Sequence, residues 1–250
     1  MTTCGIMQPT YLPWLGYFAL MDMVDVFVFL DDVQIARQGW QTRNRIKRGP
    51  DDPLILSVPI RHAGALQDRL IYDVETEDGA RWANKHLRSF EQYYRKAPHF
   101  AEAMELYAPV LRAHAGKLCD LNLALIAGIA GRLGIVTKCI RSSSIAGKSA
   151  DRRDRLVDIC RLSGADTYIS TAGAQEYLDE DDGEAQFAAR GMTLLYQNYE
   201  HPTYPQINGA FLSHMCVLDL IANVGASEAT AVIRSGIRPS VRTIERQAIA

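Results

Sequence analysis

The sequence lacks the spacings that bind metals or form redox pairs. Its five cysteines (Cys4, Cys119, Cys139, Cys160, Cys216) include no CxxC, and its six histidines include no HxH or HxxxH. An odd, scattered set of thiols suggests neither a disulfide framework nor a zinc knuckle, and no metal or other cofactor is expected. Long apolar runs are also missing. The longest, 118–133, is interrupted by Asp120, Asn122 and Arg132, and falls short of the about 20 apolar residues that cross a bilayer. The start, Met1-Thr2-Thr3-Cys4, has neither the basic nor the apolar region of a secretory signal, which points to the cytoplasm and away from a membrane. There is no excess of positive charge: 27 Lys and Arg stand against 29 Asp and Glu, for a net charge of -2. A wide grip on a polyphosphate backbone needs a basic face, so nucleic acid is not expected as the main partner. No internal repeat or low-complexity segment occurs.

What remains is a chain of 250 residues, 48% hydrophobic and 22% charged, enough to bury a sizeable core in one large domain or two small ones. Residues 3–7 read as a strand that ends at Gln8-Pro9, 14–24 as a helix, and 26–30 as a second strand. The second strand is continuously apolar, so both of its faces should be covered, as in a parallel sheet. Segments 54–60 and 70–76 read as a hairpin turning near His62-Ala63-Gly64, and 79–133 as helices broken at Pro98, Pro109 and Gly116. Strands resume at 136–141, 167–170 and 192–196, separated by helices near 151–164 and 173–190. A last helix spans 215–224, with Ser213 as its N-cap and Gly225 as its stop. The expected fold is α/β, a mostly parallel Rossmann-like sheet with flanking helices and a helical insertion in mid-chain. Residues 1–78 and 135–250 would form the core domain and 79–134 a helical subdomain.

Three segments carry chemistry. The first, from Gln8 to Phe18, puts two prolines and a glycine between strand and helix, with Gln8, Tyr11, Trp14 and Tyr17 as polar tips on a rigid loop. The second pairs Asp31-Asp32 at a strand end with Arg43-Asn44-Arg45. A carboxylate would orient an amine there, and the arginines would clamp a carboxylate or phosphate. Adjacent residues on an extended chain face opposite ways, so at most one of the two aspartates faces the site. In the third, Glu200-His201-Pro202 to Gln206, His201 is flanked by proline and suits a general base near neutral pH. Ser142 to Ser149 ends in Gly-Lys-Ser but has Ser142 where a phosphate-binding loop needs its first glycine. Cys4 reads as buried and inert.

Taken together, Gln8-Pro9 with Gly16-Tyr17-Phe18, Asp31-Asp32-Val33-Gln34 with Arg43-Asn44-Arg45, and the stretch holding His201, Tyr204, Gln206, Phe211, Ser213, Asp219, Asn223 and Gly225 resemble the WbqC-like family, in the same order along the chain. The resemblance implies a role in O-antigen or secondary-metabolite biosynthesis, and a glycine transferase activity has been suggested for some members. The expectation is an N-acyl or aminoacyl transferase that forms an amide on an amino sugar or similar small amine. His201 would be the base and Asp32 would orient the amine or the imidazole. Arg43, Asn44 and Arg45 would hold an anion, with Gln8, Tyr11, Asp31 and Gln206 completing the pocket. The donor partner would be an acyl or aminoacyl carrier protein, an aminoacyl-tRNA or an acyl phosphate. An ATP-dependent amide ligase and a non-catalytic binding or scaffold subunit are the competing readings.

Overall fold

The computed structural model describes residues 1–61, 69–77, 80–114, 116–179 and 183–242. At its centre β1 (Thr3–Met7) pairs in parallel with β2 (Val26–Phe29) on one side and β6 (Thr167–Thr171) on the other. With β5 (Lys138–Arg141), β7 (Thr193–Tyr199) and β8 (Ile237–Val241), the sheet order is β5-β2-β1-β6-β7-β8. Only β8 runs antiparallel. A separate hairpin joins β3 (Arg43–Gly49) to β4 (Asp52–Ser57).

Strand periodicity divides the core in two. Cys4, Ile6, Val26, Val28, Tyr168, Leu194 and Tyr196 pack toward α5 (Arg152–Leu162), α6 (Gln175–Asp179) and α7 (Gly183–Ala189). Phe27, Phe29 and Ile169 pack on the other face with α1 (Leu15–Met23), α2 (Ala80–Tyr94), α3 (Phe100–Ala113), α4 (Leu118–Arg132) and α8 (Val217–Ser235). Helices on both faces of a mostly parallel sheet match the expected architecture. The helices of the mid-chain segment join the core of α1 and α8 instead of closing one of their own. Among the described residues no helix is long and apolar enough to cross a membrane.

Chain order leaves β1 in two directions, to β2 and β5 on one side and to β6 and β7 on the other. The crevice beyond the carboxyl ends of β1 and β6 is therefore the topological switch point, where sheets of this kind hold ligands.

Some expected elements differ. Residues 54–57 lie in β4, whose partner is β3; the 70–76 segment forms a one-turn 3-10 helix at Ile71–Asp73 and, among the described residues, pairs with 54–60 only at an antiparallel bridge between Ile60 and Thr76. The His62-Ala63-Gly64 turn lies outside the described residues. Pro109 sits inside α3 and does not end it. Its missing donor costs about 3 kcal/mol in a helix interior, which burial of Tyr107, Ala108 and Leu111 around it offsets. The last helix breaks at Gly225, as expected, and a second helical segment then continues α8 to Ser235. Gly225 takes φ 81°, and a Cβ there would lie 2.8 Å from the His99 ring. The helix restarts where Glu102 accepts a hydrogen bond from the Ala226 N–H at 3.2 Å. Cys216, not Ser213, occupies the N-cap.

Candidate functional site

The loop leaving β1 is held from beneath by side chains whose polar groups are spent on its carbonyls. Asn44 donates to the Tyr11 and Leu12 carbonyls at 3.0 and 2.7 Å, and Asn122 to those of Pro9 and Gln41 at 3.0 and 2.8 Å. Gln197 holds the Gly16 carbonyl at 2.9 Å. Leu12 adopts φ 46°, a conformation L-residues rarely take, and the Asn44 bonds fix it there. Gly16 is required by close approach: a Cβ would lie 2.3 Å from the Trp14 ring, which folds over it. Three distant parts of the chain are then tied together. The Cys216 N–H donates to the Arg45 carbonyl, and the Val217 N–H to the Pro13 carbonyl, both at 2.9 Å.

Between them lies a cavity of about 210 Å³ at the carboxyl end of β1. Met7, Thr10, Trp14 and Tyr17 line it from the first segment, Trp40, Asn44 and Arg45 from the second, and His214 from the third. Trp14 stacks on His214 at 5.2 Å and on His201 at 6.0 Å between ring centroids. The guanidinium carbons of Arg43 and Arg45 lie 5.8 and 5.4 Å from the centre of the Trp40 ring. Neither arginine has an ion pair or polar partner among the described residues, and the Nε of each is buried without an acceptor.

The two histidines are not equivalent. His201 uses both ring nitrogens: Nδ1–H donates to the Pro202 carbonyl at 2.9 Å, and Nε2 accepts from the His214 backbone N–H at 3.1 Å. Burial, with His214 nearby, pushes its pKa down to about 4. It cannot take up a proton without breaking one of those bonds, so the sequence expectation of His201 as the base does not fit its geometry. His214 has one side-chain bond, between Nδ1 and the Ser213 hydroxyl at 2.9 Å, which leaves Nε2 without a partner among the described residues. Burial, and then the Arg45 charge, hold its pKa below the ordinary histidine value. It is therefore a neutral imidazole at neutral pH, able to accept a proton at the cavity.

The other expected site residues are distributed as follows. Gln8 bonds the Gln41 amide and sits under the loop. Tyr11 is fully buried: it accepts from the Tyr107 hydroxyl at 2.6 Å and donates to His86 Nδ1 at 2.8 Å, with its own pKa pushed far up by burial. Asn44 lines the cavity, but its amide is committed to the loop. Gln206 bonds Asp219 at 2.7 Å and both the carbonyl and N–H of Leu212. Asp219 in turn accepts from the Tyr94 and Tyr204 hydroxyls at 2.6 and 2.7 Å, and this buried cluster fastens the loop that carries both histidines.

Asp31 and Asp32 belong elsewhere. Asp31 is fully buried and accepts from Arg141 at 2.7 Å and from the Ser143 N–H and hydroxyl at 2.9 and 2.8 Å. Asp32 pairs with Arg155 at 2.6 Å and Lys148 at 3.0 Å and bonds the Ser142 hydroxyl. Burial raises the Asp32 pKa, but Ser142, Arg155 and Lys148 outweigh it and hold the carboxyl below its ordinary value. Three interstrand steps separate β2 from β7, roughly 14 Å along the sheet edge, so Asp32 does not orient the imidazole. The same cluster closes the Ser142 to Ser149 loop. Lys148 binds the Ser142 and Ile145 carbonyls, and Asp151 already caps α5. The Lys148 ammonium, the cation a phosphate-binding loop would offer, is thus spent on the chain itself.

Sequence reasoning missed His214 and Trp40. The signal available for His214 was a second histidine in the same segment, immediately ahead of a helix. Trp40 was legible only as a neighbour of two arginines.

Residues 8–231 match the WbqC-like protein family. The chain is also similar to an uncharacterized protein, Rv1507c, of Mycobacterium tuberculosis (strain ATCC 25618 / H37Rv), 34% identical over 228 residues that cover 90% of this chain and 95% of that protein. No solved structure matches it. The family match takes in every residue lining the cavity except Met7, and the chain belongs to the WbqC-like protein family.

Proposed function

We propose that this chain is a cytoplasmic transferase that moves an acyl or aminoacyl group, glycyl among the candidates, onto a small amine such as an amino sugar in O-antigen or secondary-metabolite biosynthesis. One observation carries the reading: a neutral imidazole with an open nitrogen, His214, shares a cavity with an unpaired guanidinium, Arg45, and the Thr10 hydroxyl. His214 takes the proton from the substrate ammonium, and the freed amine attacks the donor carbonyl. The carbon–nitrogen bond forms, His214, having released that first proton to solvent, takes the second from the now positively charged nitrogen, the bond to the thiol or hydroxyl leaving group breaks, and the imidazolium gives this second proton to that group. Thr10 has no partner among the described residues and supplies a donor to the developing oxyanion. Arg43 and Arg45 hold an anionic part of one substrate over Trp40. His201 keeps Trp14 and His214 in place and does not itself exchange protons.

The test is incubation of the purified chain with carrier-protein thioesters or aminoacyl-tRNA and amine acceptors, with mass detection of the amide. Product without ATP consumption supports transfer, and ATP-dependent product points to a ligase. Product formed at an unchanged rate by folded His214→Ala would reduce the cavity to a binding site.

A further inference from the structure

We propose that Arg43, Arg45 and Trp40 form a phosphoryl-binding site, so that one substrate of the cavity carries a phosphate or diphosphate group of charge -2. The inference rests on reading the cavity as the working site and fixes the charge of what enters it.

Alternation along β3 puts residues 43 and 45 on one face and Asn44 on the other. Both guanidinium groups lie within 5.8 Å of the centre of one indole ring, so two positive charges share one aromatic contact. Neither charge neutralises the other, and each Nε–H is buried with no acceptor among the described residues. The cation–π contact with Trp40 satisfies none of their hydrogen-bond donors. The alternative local counter-ions are absent: among the described residues no carboxylate pairs with either arginine, and the next cation on the same face, Lys47, is committed to the Gly209 and Ala210 carbonyls at 3.0 and 2.6 Å.

A carboxylate carries one charge and two oxygens, enough for one guanidinium fork. A phosphoryl group brings two charges and three oxygens and can engage both forks at once. The nearby imidazole does not compete, since burial and Arg45 keep it neutral. A cavity of about 210 Å³ takes a phosphoryl group and the atoms next to it but not a whole nucleotide. The remainder of the substrate therefore extends out of it. A nucleotide-linked amino sugar, a sugar phosphate and a phosphorylated carrier arm share this chemistry.

Thermal melting and titration calorimetry at constant ionic strength test the site with inorganic phosphate, pyrophosphate, a nucleoside diphosphate and acetate. The three phosphoryl probes are expected to bind saturably and raise the Tm, and acetate to leave it unchanged. Arg43→Gln and Arg45→Gln should each weaken pyrophosphate binding at least tenfold, and Arg45→Lys, which keeps the charge but loses the fork, by a smaller factor. Arg48→Gln, on the same strand but exposed and paired with Asp52, should bind as the wild type does. A stronger response to the nucleoside diphosphate than to pyrophosphate would identify a nucleotide-linked source, and equal responses a simple phosphate ester. Equal stabilisation by acetate, or undiminished binding in both glutamine variants, would overturn the site. Phosphoryl binding without any amide product would sink the transferase reading alone. Amide formation from an unphosphorylated acceptor, unaffected by Arg43→Gln and Arg45→Gln, would sink the phosphoryl site alone.

Discussion

Two groups of charges sit at the carboxyl edge of the same sheet and are handled in opposite ways. Beyond β2 and β5, Asp31 and Asp32 meet Arg141, Lys148 and Arg155, and each carboxylate is paired and hydrogen-bonded. Beyond β1, Arg43 and Arg45 lean on an indole ring with no anion paired to either among the described residues. The first group is closed by the chain itself, so its work is to hold β2, β5 and α5 in register. The second is left open by the chain, and unpaired charge at a switch point is what a ligand has to complete.

The largest effect should come from breaking the closed group. Asp31→Ala removes the acceptor of four hydrogen bonds and leaves Arg141 with Asp120, Cys119 and solvent as its partners. Deleting one member of a buried pair costs about 3 to 5 kcal/mol, and the half-exposed Arg141 places this case near the lower end. Urea denaturation should show that loss while pyrophosphate binding by the folded fraction stays intact. A loss under 1 kcal/mol would mean that the two groups do not differ as argued.

A second contrast is between imidazoles. His86 is closed: it accepts from Tyr11, and its Nε2–H donates to the Ser57 carbonyl at 3.1 Å. Burial pushes its pKa from 6.5 down to about 4. The unfolded chain therefore binds a proton below pH 6.5 that the folded chain refuses. Stability is full above pH 6.5 and falls as the pH drops toward 4, by about 3 kcal/mol for this residue alone. His201, also held near pH 4, adds to the same acid limb. The stability-against-pH curve of His86→Gln should be flatter than that of the wild type between pH 6.5 and 4, and an unchanged slope would refute the assignment.

His214, the open imidazole, should behave in the reverse sense. His214→Ala is expected to lower amide formation about a hundredfold, with a smaller change in the denaturation midpoint than His86→Gln gives, since its side chain loses one exposed bond to Ser213 and its stack on Trp14 and no buried hydrogen bond. His201→Ala should lower turnover less and cost stability through the lost stack on Trp14 and the freed His214 N–H. If the two variants changed places, the base would be His201 after all.

Much of this was readable from the chain. The core strands announced themselves because β2 is covered on both faces and so is apolar throughout, and Arg43 and Arg45 were legible as a basic pair suited to an anion. The strand that carries them did not. Arg-Asn-Arg-Ile-Lys-Arg-Gly has no apolar alternation, because Lys47 is buried through bonds to carbonyls and Asn44 through bonds to a loop, both supplied by distant segments. Asp31 and Asp32 looked like site residues because their partners lie more than a hundred positions on. The choice between His201 and His214 turned on a backbone N–H, which leaves no mark on composition or spacing.

The smallest expected effect is the one that separates the two groups most sharply. Replacing a paired charge destabilises, but replacing an unpaired one breaks no ion pair and loses only the contact with Trp40. Arg45→Gln should therefore leave the urea midpoint within about 0.5 kcal/mol of the wild type, or raise it slightly. The same substitution weakens pyrophosphate binding at least tenfold, so stability and binding part company at this residue. A loss of several kcal/mol on Arg45→Gln would show that the chain already compensates this charge, and the distinction between the closed edge and the open one would disappear.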